Sequence, residues 1–292
     1  MVNTIWKENF LIMCSKLCLN ARDSGHFAQL LLICRNYSLQ TLCGAPHNVC
    51  NEDNKLILGR GLTGDVIIDI DKTPHILIGG NTGSGKSVLV QCLLWQAIQQ
   101  ADVVYVADFK GGVDFSYVWQ EFAYIITEEK KLLVLLNHLA DILEERKRLF
   151  KEVDDVNITE YREKSGDYMQ RIVFACDEVA ELLDKTGADK SRKELLAQIE
   201  ARLALIARQG RAFGIHLILA TQRPDANILP GQIKNNMNIR ICGRADTTLS
   251  TIIIGDGRAA EQIPHDAQGR FIMEDGTVFQ AYYFSDDTIS KW

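Results

Sequence analysis

The pattern of apolar and polar positions changes character near residue 51. Before that point, apolar residues recur without a sustained period. From Lys55 onward, short apolar runs alternate with longer amphipathic stretches, which predicts an α/β domain built on a parallel sheet. Residues 66–70 alternate as a strand, and His75–Gly79 is an apolar strand running into a glycine-rich turn. Residues 87–99 then place Leu89, Leu93, Leu94 and Ile98 on one helical face. Val103–Ala107 is apolar throughout, as expected of a strand covered on both sides. A long helix is predicted over 128–153, with Glu144, Glu145, Arg146, Lys147 and Arg148 in its second half, and a buried strand over 171–176. Leu195, Leu196, Ile199, Leu203 and Ile206 share one face of a helix over 195–207. Strands follow at 215–220 and Ile239–Cys242. Arg270–Met273 and 278–284, separated by a segment containing Asp275-Gly276, read as a terminal hairpin.

The chain thus divides into a segment over 1–54 and an α/β domain over 55–292. Composition adds little to this division, except in the first segment. Five of the eight cysteines (Cys14, Cys18, Cys34, Cys43, Cys50) fall there. Only Cys14 and Cys18 form a close pair, whereas a structural zinc site uses two, so these read as reduced thiols. Cys92, Cys176 and Cys242 stand singly in apolar or helical surroundings and read as small buried residues. No apolar run is long enough for a membrane span, and the N-terminus lacks the pattern of a secretory leader, so a cytoplasmic setting is expected. Net charge is −6, from 32 basic and 38 acidic residues. Proteins that coat nucleic acid with their whole surface are usually basic overall. Any nucleic-acid contact here must come from a local patch or loop.

The strongest chemical signal is Gly80-Asn81-Thr82-Gly83-Ser84-Gly85-Lys86-Ser87, which fits G-x-x-x-x-G-K-[ST] between a predicted strand and a predicted helix. Glycines let backbone N–H groups turn inward around phosphates at the positive end of the helix. Lys86 would reach the β- and γ-phosphates, and the Ser87 hydroxyl would hold Mg²⁺. ATP and Mg²⁺ are the implied ligands. Asp177-Glu178 follows a buried strand, at the sheet edge where ligands gather. There Asp177 would orient the metal shell and Glu178 would act as general base; the competing reading is a helix cap with a first-turn acid. The strand over 215–220 ends in Thr221-Gln222-Arg223-Pro224. Gln222 can position water beside a γ-phosphate, and equally can cap its own turn.

Taken together, these elements resemble the FtsK/SpoIIIE family of hexameric DNA translocases and their conjugative and secretion relatives. Pro74-His75-Ile76-Leu77-Ile78 resembles the family's entry strand, and Asp108-Phe109-Lys110 stands where the family has D-P-K. The charged run 144–150, followed by Asn157 and Tyr161, is similar to the family's charged helix and N-x-x-x-Y loop. Asp177-Glu178-Val179-Ala180-Glu181-Leu182 and the stretch from Ala207 to Pro224 carry the most specific likeness. The resemblance covers residues 55–284. It implies a RecA-like P-loop NTPase with a mostly parallel central sheet, helices on both sides and a C-terminal β-hairpin, in which the fourth strand lies between the phosphate-loop strand and the acid strand. That order would bring Gln222 beside the γ-phosphate as a sensor.

The resemblance further implies a homo-oligomeric, hexameric ring in which a neighbour's arginine completes the site. Arg211 is the favoured residue and Arg208 the alternate, because both turn away from the Ile199 face. The family's D-S-R triplet is replaced by Leu249-Ser250-Thr251-Ile252, so no role of its arginine carries over. The family's winged-helix recognition domain, membrane segments and subdomain preceding the motor are expected to be lacking. The leading expectation is an ATP-driven motor on double-stranded DNA, serving conjugation or chromosome segregation, that grips the phosphate backbone with pore loops. Segments 111–116 and 228–236, the latter containing Lys234, are candidates on position alone, and a solvated surface loop is the favoured competing reading for each. Membrane-anchored conjugation or secretion proteins are the implied partners. Two alternatives stand beside it. A type VII-like protein-secretion ATPase shares the core but usually carries several motor domains in tandem. A non-hydrolysing regulatory protein is disfavoured by Lys86, Ser87, Asp177 and Glu178.

Overall fold

The computed structural model describes residues 54–110, 114–223 and 229–289. The N-terminal segment with its five cysteines therefore lies outside the described residues, as do Pro224 and parts of both candidate pore loops. The described residues belong to one unit, Cys43–Trp292. The apolar run Val103–Ala107 is covered less completely than its sequence suggests, with Val103 and Tyr105 only half-buried beside a three-residue edge strand.

The phosphate-loop strand β3 (His75–Gly79), the acid strand β6 (Ile172–Cys176) and β7 (Ile215–Thr221) have every residue buried. They belong to a ten-stranded sheet in the order β2-β1-β10-β9-β8-β3-β7-β6-β4-β5. Here β1 is Lys55–Arg60, β2 Asp65–Asp69, β4 Val103–Ala107, β5 Tyr124–Ile126, β8 Ile239–Cys242, β9 Arg270–Met273 and β10 Val278–Ala281. The six strands from β8 to β5 pair in parallel. The remaining junctions are antiparallel. The expected insertion of the fourth core strand is present: β7 lies between β3 and β6. At about 4.8 Å per strand, the ends of β3 and β6 stand roughly 10 Å apart, within reach of a lysine side chain.

Side chains alternate across the sheet, so each helix layer covers every second residue. Ile76, Ile78, Val104, Val106, Val173, Ala175, Ile218 and Ala220 form one core with Leu89, Leu93 and Trp95 of α1 (Lys86–Gln99). On the opposite face, α5 (Lys190–Gln209) packs on β7 and on α2 (Glu129–Val153). Between them in sequence come α3 (Ile158–Ser165) and α4 (Val179–Leu183). Asn157 caps α3 by accepting the Glu160 N–H at 3.0 Å.

Two additions extend the sheet beyond the core. The β1–β2 and β9–β10 hairpins join through β1 and β10. Gly59 makes this junction possible. Its φ is +157°, and a Cβ there would lie 2.2 Å from the Gln280 carbonyl oxygen. The Gln96 side chain then ties α1 to β1, accepting the Ile57 N–H at 2.7 Å and donating to its carbonyl at 3.0 Å. Beneath the amino ends of β4 and β6, Arg171 is fully buried. Its guanidinium donates to Asp102 at 2.9 Å and to the Gln100 side chain at 2.8 Å. No helix among the described residues is long and apolar enough to cross a membrane.

Candidate nucleotide site

At the carboxyl end of β3 the chain turns through residues 80–85 and enters α1 at Lys86. The turn needs glycine at two points. Gly83 has φ +76° and Gly85 has φ +94°, both in the left-handed region that side chains avoid. A Cβ on Gly85 would also meet the Gly269 backbone at 3.0 Å. The loop is braced from outside: Asn81 N–H donates to the Arg244 carbonyl at 2.7 Å, and Gly269 N–H donates to the Ser84 carbonyl at 2.8 Å. The start of α1 has no side-chain cap. Its first N–H groups are therefore available to an anion at the positive end of the helix. Ser84 Oγ is buried without a partner among the described residues, which also suits an oxyanion ligand.

The Asp177 side chain is 3% exposed and is held from three directions. Lys86 Nζ donates to Oδ1 at 2.8 Å and to the Asp177 carbonyl at 2.6 Å. Lys110 Nζ donates to Oδ2 at 2.6 Å, and Ser87 Oγ lies 3.1 Å from both oxygens. Burial alone would raise the carboxyl, but the Lys86 and Lys110 ammonium groups outweigh it and hold its pKa down at about 2. Asp177 and Ser87 offer hard oxygen donors side by side, the donor chemistry Mg²⁺ prefers. Close by, Asp108 Oδ2 is buried without a partner among the described residues. These residues fit the ion.

Glu178 is arranged differently. Thr221 Oγ1 donates to its Oε1 at 2.7 Å, and the Gln222 N–H donates to Oε2 at 3.0 Å. Burial raises its pKa above the ordinary glutamate value, against the opposing pull of the Thr221 hydrogen bond and Lys86. Two adjacent carboxylates thus have their proton affinities pushed apart, one held ionised and one closer to neutrality, the separation found where one acid binds a cation and the other moves a proton. The capping alternative has Asp177 as the cap and Glu178 in the first turn, whereas α4 begins one residue later. Glu178 occupies the N-cap position of α4, yet its side chain makes no capping hydrogen bond.

Gln222 joins this assembly through its side chain as well, accepting from Thr82 Oγ1 at 2.9 Å. The phosphate loop and the end of β7 are therefore in direct contact. Arg208 and Arg211 are not part of the cluster. Both are exposed near the amino end of β7, whereas Gln222 follows its carboxyl end. Seven strand residues, about 20 Å, separate the two edges. Lys234 is half-buried in the short helix α6 (Gly231–Lys234), where burial and the nearby Arg240 lower its pKa.

Two further residues escaped sequence reasoning. Arg244 donates to the Thr82 carbonyl at 2.7 Å and to the His265 carbonyl at 2.6 Å, tying the loop to the segment before β9. Its signal was an arginine directly after Gly243 at the carboxyl end of a buried strand. Thr221, the last residue of β7, gave no chemical signal of its own.

Residues 43–226 match the model of the FtsK/SpoIIIE family. A Campylobacter jejuni protein described as DNA translocase FtsK is 32% identical over 221 residues, covering 71% of this chain and 22% of that protein. The Haemophilus influenzae counterpart is 30% identical over 243 residues, with 71% and 44% covered. The chain thus spans less than half the length of these relatives. Among solved structures, the pCW3 conjugation coupling protein TcpA, determined with ATPgS, superimposes with a TM-score of 0.81 at 39% identity, covering 86% of this chain and 73% of that one. The cytoplasmic domain of the Thermomonospora curvata type VII secretion ATPase EccC gives 0.64 at 25% identity, with 82% and 30% covered.

Proposed function

The chain belongs to the FtsK/SpoIIIE family, and on that premise we propose that it is an ATP-hydrolysing motor that moves double-stranded DNA. The observation that carries the reading is the convergence of three strand ends. Lys86 and Ser87, at the start of the helix that follows β3, Asp177 and Glu178, directly after β6, and Thr221 and Gln222, at the end of β7, are joined by direct hydrogen bonds. On nucleotide binding, the N–H groups of residues 80–87 and the Lys86 ammonium take the phosphates. Ser87 and Asp177 would hold Mg²⁺, which when bound neutralises charge on the β- and γ-phosphate oxygens. Glu178 accepts a proton from the attacking water as the water oxygen bonds to the γ-phosphorus and the bond to the β-phosphate oxygen breaks, releasing ADP and phosphate. Gln222 steadies that water.

The site is completed in trans. Arg211 faces solvent at the sheet edge opposite its own phosphate loop, so within one subunit it does not reach the γ-phosphate. A head-to-tail arrangement of identical subunits places one copy's amino edge against the next copy's carboxyl edge, and such contacts close into rings. DNA is the favoured cargo, because TcpA exceeds the secretion ATPase in identity and fold overlap, and the FtsK relatives exceed it in identity. Protein export is the second reading. ATPase rates measured with and without double-stranded DNA decide between them. Stimulation by DNA, abolished in Glu178→Gln, supports the motor; turnover indifferent to DNA contradicts it.

A further inference from the structure

Lys86 has a role in the phosphate loop, but the second ammonium on Asp177 does not. Lys110 comes from the turn after β4, outside the loop and its helix. That turn is shaped to deliver it: the Lys110 N–H donates to Asp108 Oδ1 at 2.9 Å. The side chain then spans two acids, with Nζ 2.6 Å from Asp177 Oδ2 and 3.1 Å from Asp114 Oδ2. Five carboxylates (Asp108, Asp114, Asp177, Glu178 and Glu181) gather at this corner, where Lys86 and Lys110 supply ammonium groups. A cavity of about 10 Å³ beside them, lined by Asp108, Lys110, Asp177, Glu178 and Glu181, has room for about one water.

The two lysines differ in freedom. The Lys86 side chain is 6% exposed and the Lys110 side chain 32%. Asp114, at 26%, is an acid on the solvent side to which Lys110 is already bonded. Lys110 can therefore leave Asp177 without being left unpaired. It also sits on Oδ2, one of the two Asp177 oxygens, each 3.1 Å from Ser87 Oγ, that could face a cation there. A lysine ammonium and a divalent ion cannot share that oxygen at contact distance without strong repulsion.

We propose that Lys110 is a built-in cation that occupies Asp177 in the nucleotide-free protein and is displaced to Asp114 when Mg²⁺ arrives with nucleotide. The proposal rests on residues 80–87 and Asp177 forming a Mg²⁺–nucleotide site. Lys110 is thereby a positioning residue that sets the metal concentration at which the site loads. It adds to the compensation that Lys86 already gives Asp177 between turnovers, so the empty site is less prone to capture stray ions.

The test is equilibrium binding of a fluorescent non-hydrolysable ATP analogue, read by anisotropy over a Mg²⁺ titration that begins in EDTA. Removing the competitor in Lys110→Met lowers the half-saturating Mg²⁺ concentration about fivefold, the scale of one partly exposed ion pair. Lys110→Arg keeps the charge and stays within about twofold of wild type on the same scale. Asp114→Asn removes the alternative anchor, leaves Lys110 on Asp177 and raises the half-saturating Mg²⁺. The opposite signs distinguish competition from a general loosening of the fold, which would shift both variants the same way. An unchanged or raised midpoint in Lys110→Met overturns the proposal, as does weaker binding in EDTA, which would make Lys110 a phosphate ligand. If wild type binds no nucleotide while folded, the reading of the site fails and takes this proposal with it. If wild type binds and Lys86→Ala does not, but the midpoints do not move, only the Lys110 proposal fails.

Discussion

Thr221→Val isolates the environment of the general base. The substitution keeps the shape of a fully buried strand residue and removes one hydroxyl, the 2.7 Å donor to Glu178 Oε1. That hydrogen bond favours the ionised carboxylate, so losing it raises a pKa that burial has already pushed above the ordinary value. A hydrogen bond to a buried charged group is worth about 1.5–3 kcal/mol. At about 1.4 kcal/mol per pH unit, the Glu178 pKa should rise by roughly one to two units. Because the base must be ionised to accept a proton, the acid limb of the kcat profile moves up by that amount. Well above the new pKa the rate returns to within a few-fold of wild type. The assay is steady-state ATP turnover at saturating Mg²⁺–ATP and DNA across pH 5 to 10, with Thr221→Ser expected to restore the original limb. A uniform loss at every pH, with the limb unmoved, would refute the assignment of Glu178 as the titrating base.

Other substitutions probe the scaffold and the ring. Gly85→Ala forces a side chain into the left-handed region, costing about 1–2 kcal/mol, and meets the Gly269 backbone at 3.0 Å. For a domain of this size the melting temperature should fall by roughly 2–8 °C, and nucleotide affinity should fall with it. Arg171→Met leaves the buried Asp102 without its cation, a loss of about 3–5 kcal/mol in denaturant unfolding. Burial already lifts the Asp102 pKa to about 6 against the pull of Arg171. Removing that pull raises it further, so the loss should be larger at pH 8, where the carboxyl must ionise, than at pH 5. Arg211→Ala should lower turnover about 10³-fold with nucleotide affinity retained. Mixing it with Glu178→Gln subunits should recover activity, because an intact site then meets an intact neighbouring arginine; no recovery would place the finger elsewhere.

The core was legible because its strands are short apolar runs, and the central ones are buried on both faces. His75–Gly79, Val103–Ala107 and Ile239–Cys242 have the bounds that the apolar runs predict. The loop at 80–87 and the acids at 177–178 were equally plain, since each follows such a strand. What the sequence hid was pairing between distant segments. Lys55–Arg60 carries only three consecutive apolar residues between a lysine and a glycine, and its partner β10 lies more than 200 residues away. No local period encodes that junction. The predicted second hairpin strand over 278–284 ends at Ala281 for a related reason. Phe284 leaves the sheet to pack against Trp95 and Trp119. Within the site, the motif order named Asp177 but not its second cation. Lys110 is 67 residues away in sequence, and only the parallel pairing of β4 with β6 brings it to the same edge. Thr221 and Arg244 became visible for the same reason: Thr221 ends β7 and Arg244 lies two residues beyond β8, and both strands flank β3.

Displacement of a third strand from a DNA triplex tests the central claim most directly, because it requires motion along the duplex as well as ATP turnover. Wild-type protein should release the third strand only when ATP and Mg²⁺ are present, and Glu178→Gln should bind nucleotide yet release none. ATP hydrolysis that proceeds on triplex DNA with the third strand left in place would contradict the account.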